Sequence, residues 1–117
     1  MKLSKFKELL EEFATSKKLD GVFYIKNKKT YSAELIGKKY ILYQRIRKGG
    51  YHFTQNRTNS WETIIQVSII SPSHQINLTE QFEQFMETHG CIVTLVDDYF
   101  NDDENYSVTI YETYIKE

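Results

Sequence analysis

Leu3, Phe6, Leu9, Leu10 and Phe13 recur at intervals of three and four residues, the spacing that places them on one face of an amphipathic helix. Lys17 and Lys18 follow, where cations suit the negative end of a helix dipole, and Gly21 offers a stop. The apolar run 22–25 predicts a short strand, and the polar stretch 26–30 a loop or an exposed edge. Residues 40–47, rich in aromatic and β-branched side chains, predict a second strand, with Gly49-Gly50 turning the chain into 51–54 and a polar, turn-like stretch at 55–60. The strongest strand signal is 61–71, with Ile64, Ile65, Val67, Ile69 and Ile70, and Pro72 ends it because proline cannot donate to a sheet ladder.

Asn77-Leu78-Thr79-Glu80 has the form of a capping box and predicts the start of a second helix. Leu78, Phe82, Phe85 and Met86 form its apolar face, and Gly90 closes it. Residues 91–96 predict a strand, 97–105 an acidic connector, and 106–115 a last strand in which Tyr106, Val108 and Ile110 alternate to one side. The pattern therefore predicts an α+β fold in the order α-β-β-β-α-β-β. Its sheet is mainly antiparallel, of five to six strands, with two helices packed on one face. No repeat, low-complexity segment or linker interrupts it, so residues 1–117 read as a single domain.

Composition narrows the function classes. The chain is 40% apolar and 15% aromatic, which favours a folded core over disorder. Nine tyrosines suit half-exposed sheets and interfaces, and equally well an ordinary sheet. Cys91 is the single cysteine, which rules out an intrachain disulfide. Lys2, Lys5 and Lys7 give way to Glu8, Glu11 and Glu12 without a continuous apolar run, so neither a signal peptide nor a membrane span is expected, and the cytoplasm is the expected location.

Net charge is −1, but its distribution is uneven. Residues 26–57 carry nine Lys or Arg against Glu34, a local balance of +8; residues 97–117 carry seven acids against Lys116, a balance of −6. Either the folded protein has two oppositely charged surfaces, or the two segments lie together and neutralise each other.

Chemical motifs are sparse. His52, His74 and His89 share no metal-ligand spacing, and His89 with Cys91 lacks an orienting acid, so a buried, inert cysteine is expected. The run from Asp97 to Glu104 lacks the glycine and the alternating oxygen ligands of a calcium loop. No glycine-rich phosphate loop or nucleophile elbow is present, and no cofactor or metal is expected. Binding or assembly is the expected role, rather than catalysis. Lys26, Lys28, Lys29, Lys38, Lys39, Arg45, Arg47 and Lys48 interleave with Tyr31, Tyr40, Tyr43, Tyr51 and Phe53. That pattern fits plain exposed strands, a protein-binding surface or, less well at a pI near 6.3, single-stranded nucleic acid.

The layout from Tyr40 onward resembles the tail terminator, or tail-completion, proteins of long-tailed phages. The resembling parts are the strands at 40–47 and 61–71, the helix at 78–89 ending at Gly90, the next strand, the acidic turn Asn101-Asp102-Asp103-Glu104 and the final strand. The N-terminal helix and the strand at 22–25 fit the same order. The resemblance implies a structural protein, often a six-membered ring, that caps the tail tube and docks to the head connector in the bacterial host and then in the virion. A ring needs a heterologous interface, and Lys28, Lys29, Arg45, Arg47 and Lys48 on one patch would face Asp97, Asp98, Asp102, Asp103 and Glu104 on another. Two other roles fit a small protein without catalytic motifs. One is an inhibitor of a host nuclease, its acidic segment standing in for phosphates; the other is a single-stranded nucleic-acid binder with salt-sensitive affinity.

Overall fold

The computed structural model describes residues 1–25, 38–49, 62–73, 75–103 and 105–116. Among the described residues, two helices and five strands follow the order α1 (Leu3–Ser16), β1 (Gly21–Tyr24), β2 (Tyr40–Gly49), β3 (Glu62–Ser71), α2 (Ile76–Thr88), β4 (Val93–Asn101) and β5 (Tyr106–Lys116). This is an α+β fold in the order α-β-β-β-α-β-β, as the hydrophobic pattern predicts. The predicted loop or edge at 26–30, the turn at Gly50 into 51–54 and the turn-like stretch at 55–60 lie outside the described residues.

Phe6, Leu9, Leu10, Phe13 and Ala14 are the buried residues of α1, and Leu78, Phe82 and Met86 those of α2. They share one cluster with Ile41 and Tyr43 of β2, Ile65, Val67 and Ile69 of β3, and Tyr111 and Ile115 of β5. Phe13 meets Phe82 edge-on at 5.3 Å, and Phe82 lies 5.3 Å from Tyr111, so three rings bolt the helices to the sheet. Strand side chains alternate between faces, so Tyr40 and Leu42 point away from Ile41 and Tyr43. They form a second, smaller cluster with Ile70 and Val108, packed by Ile25, Tyr106 and Ile110.

The strand order is β1-β2-β3-β5-β4. β1 runs parallel to β2, and the other three pairings are antiparallel. The backbone N–H of Asp20 donates to the Lys39 carbonyl at 2.6 Å, and the Lys39 N–H donates to the Asp20 carboxylate at 2.8 Å. This double clip sets the start of the parallel pair, Gly21 opposite Tyr40. The Phe23 ring folds back over Gly21: a Cβ there would meet it at 2.7 Å. β3, the central strand, pairs with β2 and β5, and from Thr63 to Ser71 only Ile64 and Gln66 are less than fully buried, so both of its faces are covered and Thr63, Ser68 and Ser71 are buried beside its isoleucines and valine. α2 carries the chain from β3 to β4, and the hairpin then returns β5 between them.

Both helices close with the same motif. The Leu19 N–H donates to the Ala14 carbonyl at 2.8 Å and Lys18 to Thr15, with Lys18 left-handed at φ 57°. The Cys91 N–H donates to the Met86 carbonyl at 2.8 Å and Gly90 to Glu87, with Gly90 at φ 81°. Gly90 thus stops α2 as the sequence predicts. Gly21 does not stop α1; that work falls to Lys18, three residues earlier, and Gly21 opens β1. The capping box is also displaced. α2 starts at Ile76 behind Gln75, with no side-chain cap, and the Thr79 hydroxyl turns back to the Ile76 carbonyl at 2.8 Å. Ser71 and Gln75 both bond to Ser73 after Pro72, so the chain has turned and begun its helix before Asn77 is reached.

Candidate interaction edge

The acidic run is the largest departure from the sequence expectation. Residues 97–101 are not a connector but the second half of β4, and Asp102, Asp103 and Asn105 belong to the turn that follows. Pairing with β5 overrides the poor strand propensity of aspartate, from Asp97 opposite Ile110 to Asn101 opposite Tyr106. Asp98 is held in the ladder by the Thr109 hydroxyl, which donates to its carboxylate at 3.0 Å, and the Asn101 amide donates to the Tyr106 hydroxyl at 3.2 Å. Asp97 accepts the backbone N–H of Asp98 at 2.8 Å. Asn105, at φ 56°, supplies the left-handed turn residue that returns the chain into β5.

β4 forms one edge of the sheet, and its middle seven residues are exposed. A register shift between Leu95 and Asp97 leaves Val96 as a bulge, a device that twists edge strands and re-aims side chains. Leu95, Val96, Tyr99 and Phe100 are each 41–53% exposed, and Ile92, just before the strand, is 78% exposed. Sequence reasoning placed Ile92, Leu95 and Val96 in a strand without its exposed edge, and it missed Tyr99 and Phe100, because they stand among aspartates and the run reads as a loop. The signal that could have found them is the pair of large rings within an otherwise polar stretch.

Of the other candidate residues, Arg45 is exposed on β2, opposite Ile65 of β3. Arg47 and Lys48 continue β2 beyond a second bulge, opposite Ile64 and Thr63. Asp102 and Asp103 are exposed in the β4–β5 turn. Lys28, Lys29 and Glu104 lie outside the described residues. β2 and β4 are separated by β3 and β5, three strand spacings or about 14 Å. Among the described residues, Arg45 and the β4 aspartates thus stand on different strands across the sheet.

The aromatic residues interleaved with the basic ones are not free stacking platforms where they are described. Tyr40 and Tyr43 are 3% and 4% exposed and belong to the two cores. Burial pushes the Tyr43 hydroxyl above its ordinary pKa, with Glu11 and Tyr24 adding to the effect. Tyr31, Tyr51 and Phe53 lie outside the described residues.

Cys91 is buried, with its sulfur 3.8 Å from that of Met1, and burial pushes its thiol upward, opposite to what a nucleophile needs. His89 is exposed, its ring 4.3 Å from Phe85 and its Nδ1 2.8 Å from the Phe85 carbonyl. The two side chains are therefore committed to different neighbours. Among the described residues no three His, Cys, Asp or Glu side chains gather in a metal-binding group, and no helix is long and apolar enough to cross a membrane.

No protein-family model matches the chain, and no curated protein is similar to it at a significant level.

Proposed function

We propose that the protein is a non-enzymatic assembly subunit of the tail-completion kind, one that joins copies of itself into a ring, caps a tail tube and docks to a head connector. The observation that carries this reading is the β4 edge. It is a nine-residue strand at the margin of the sheet, apolar at Leu95, Val96, Tyr99 and Phe100 and acidic at Asp97 and Asp98, set across the sheet from the Arg45 strand. An exposed edge with large apolar side chains is a template for strand addition, and folded proteins rarely leave one without a partner. The α-β-β-β-α-β-β order adds the resemblance in layout described above.

A second reading draws on the same edge. Asp97, Asp98, Asp102 and Asp103 are all exposed along it, as an inhibitor that imitates phosphates for a host nuclease would require. The apolar side chains between them suit a protein groove better than a phosphate-binding one. Native mass by light scattering behind a sizing column, over a wide concentration range, separates the two. Discrete rings support the assembly subunit. A monomer at every concentration that forms a one-to-one complex with a nuclease supports the inhibitor and refutes self-assembly. Within the assembly reading, charge reversal at Arg45 and Arg47 impairs ring formation, and normal rings from that variant would remove these two residues from the interface.

A further inference from the structure

Among the described strands the sheet has two margins. β4 is one, and β1 is the other. Among the described residues β4 pairs with β5 alone and β1 with β2 alone. Among the described residues, six of the eleven exposed large apolar side chains lie on these two strands: Phe23 and Tyr24 on β1, and Leu95, Val96, Tyr99 and Phe100 on β4. The charges beside the margins are opposite. Exposed Lys17, Lys18 and Lys38 surround the start of β1, where the acid Asp20 is held by the Lys39 N–H, and exposed Asp97, Asp98, Asp102 and Asp103 run along β4 and into its turn.

The geometry points to a head-to-tail contact in which β4 of one copy pairs with β1 of the next, extending the sheet from subunit to subunit. This deepens the assembly reading and rests on it. Strand directions support the match. β1 and β2 run one way, β3 the other, β5 the first way again and β4 opposite to it. A second copy related by rotation about an axis along the strands keeps its β1 antiparallel to the first copy's β4. Antiparallel pairing then lays the start of β1, with its lysines, against the end of β4, with Asp102 and Asp103. Each face of the joined sheet also stays continuous, and Phe23 and Tyr24 meet the apolar side chains of β4 across the joint. β1 has four residues, so the shared ladder spans about 13 Å, and the side chains on either side must contribute much of the contact.

The competing contact, two β4 strands paired about a twofold axis, is disfavoured by the same charges. β4 runs from Val93 to Asn101, so a centred antiparallel pair sets Asp97 against its own copy, with Asp98 beside it. Like charges directly opposite destabilise a strand pair. The contact with β1 removes that repulsion, since Asp97 and Asp98 then lie beside the uncharged end of β1, and it adds attraction between the lysines at the start of β1 and Asp102 and Asp103.

A mixing experiment tests the contact. One variant carries Leu95→Lys and Phe100→Lys on β4; the other carries Phe23→Glu and Tyr24→Glu on β1. Because Phe23 packs against Tyr40 and over Gly21, Tyr24→Glu alone serves as a milder β1 variant, and circular dichroism verifies that each is folded. By light scattering the parent protein is expected to associate with rising concentration, and each variant alone to stay monomeric. An equal mixture of the β4 and β1 variants regains association, since one intact β4 meets one intact β1. Association of the β1 variants alone at parental strength would overturn the head-to-tail contact in favour of β4–β4 pairing. Oligomers formed by the parent and by every variant alike would overturn it while leaving self-assembly standing. A parent that stays monomeric throughout would overturn both.

Discussion

Gly90 and Lys18 occupy equivalent positions, one residue beyond the C-cap of α2 and of α1, and both are left-handed, at φ 81° and 57°. The same two backbone hydrogen bonds bracket each of them. One helix end thus has the residue its conformation favours, and the other does not. A Cβ added at Gly90 meets nothing within 4 Å, so Gly90→Ala introduces no clash and its effect is conformational. Holding an L-residue left-handed costs about 1–2 kcal/mol. The smaller entropy of an alanine-containing unfolded chain returns about 0.4–1 kcal/mol. The net expectation is a loss of about 1 kcal/mol. Lys18→Gly reverses both terms and should gain about 0.5–1 kcal/mol, because Lys18 is exposed and gives up little packing. Urea unfolding followed by far-ultraviolet circular dichroism measures both variants, with midpoints moving in opposite directions at an unchanged slope. Each kcal/mol corresponds to about 4 °C or more in Tm for a domain of this size. A Gly90→Ala variant as stable as the parent would refute the argument, as would a Lys18→Gly variant less stable than it. Either result would mean that the strain assigned to these helix ends is absent.

The remaining expectations concern the core and alkaline pH. Phe82 is fully buried between Phe13 and Tyr111, so Phe82→Ala should cost about 3–5 kcal/mol, read as a large drop in the urea midpoint; a loss under 1 kcal/mol would mean the three-ring contact does not hold α2 to the sheet. Burial raises the pKa of Tyr111 far above its ordinary 10.0 and also raises those of Tyr43 and Cys91, so all three favour the neutral form when folded. Their contribution is complete below the unfolded values, from 9.0 for the thiol, and is lost as pH climbs toward the folded ones. Stability measured by urea midpoint should therefore fall above about pH 9, with a shallower fall in Tyr111→Phe; a midpoint that stays level or rises would contradict the sign.

Several elements were legible because their signal is local. The three-and-four spacing from Leu3 to Phe13 and from Leu78 to Met86 is a property of the helix itself, and Pro72 and Gly90 act on their own backbone. The Asn77 capping pattern misled for the same reason in reverse. It describes a possible local arrangement, while Ser73 and Gln75 offered the chain an earlier turn. For the candidate surface, sequence supplied the two charged segments but not the placing of Arg45 three strands away from the β4 aspartates, since strand order does not follow chain order.

What the sequence alone determined was the α+β class, the order of the elements, the main apolar faces of both helices, and the division of the chain into basic and acidic stretches. Each follows from residue type and short-range periodicity. Only the tertiary structure made residues 97–101 a strand, because β5 had to return alongside them, with Thr109 holding Asp98, before aspartates would join a ladder. Tertiary structure alone also inserted β5 between β3 and β4, which put β4 at the margin and turned Leu95, Val96, Tyr99 and Phe100 outward. An edge is defined by the neighbour a strand lacks, and that depends on how residues far apart in the chain have paired.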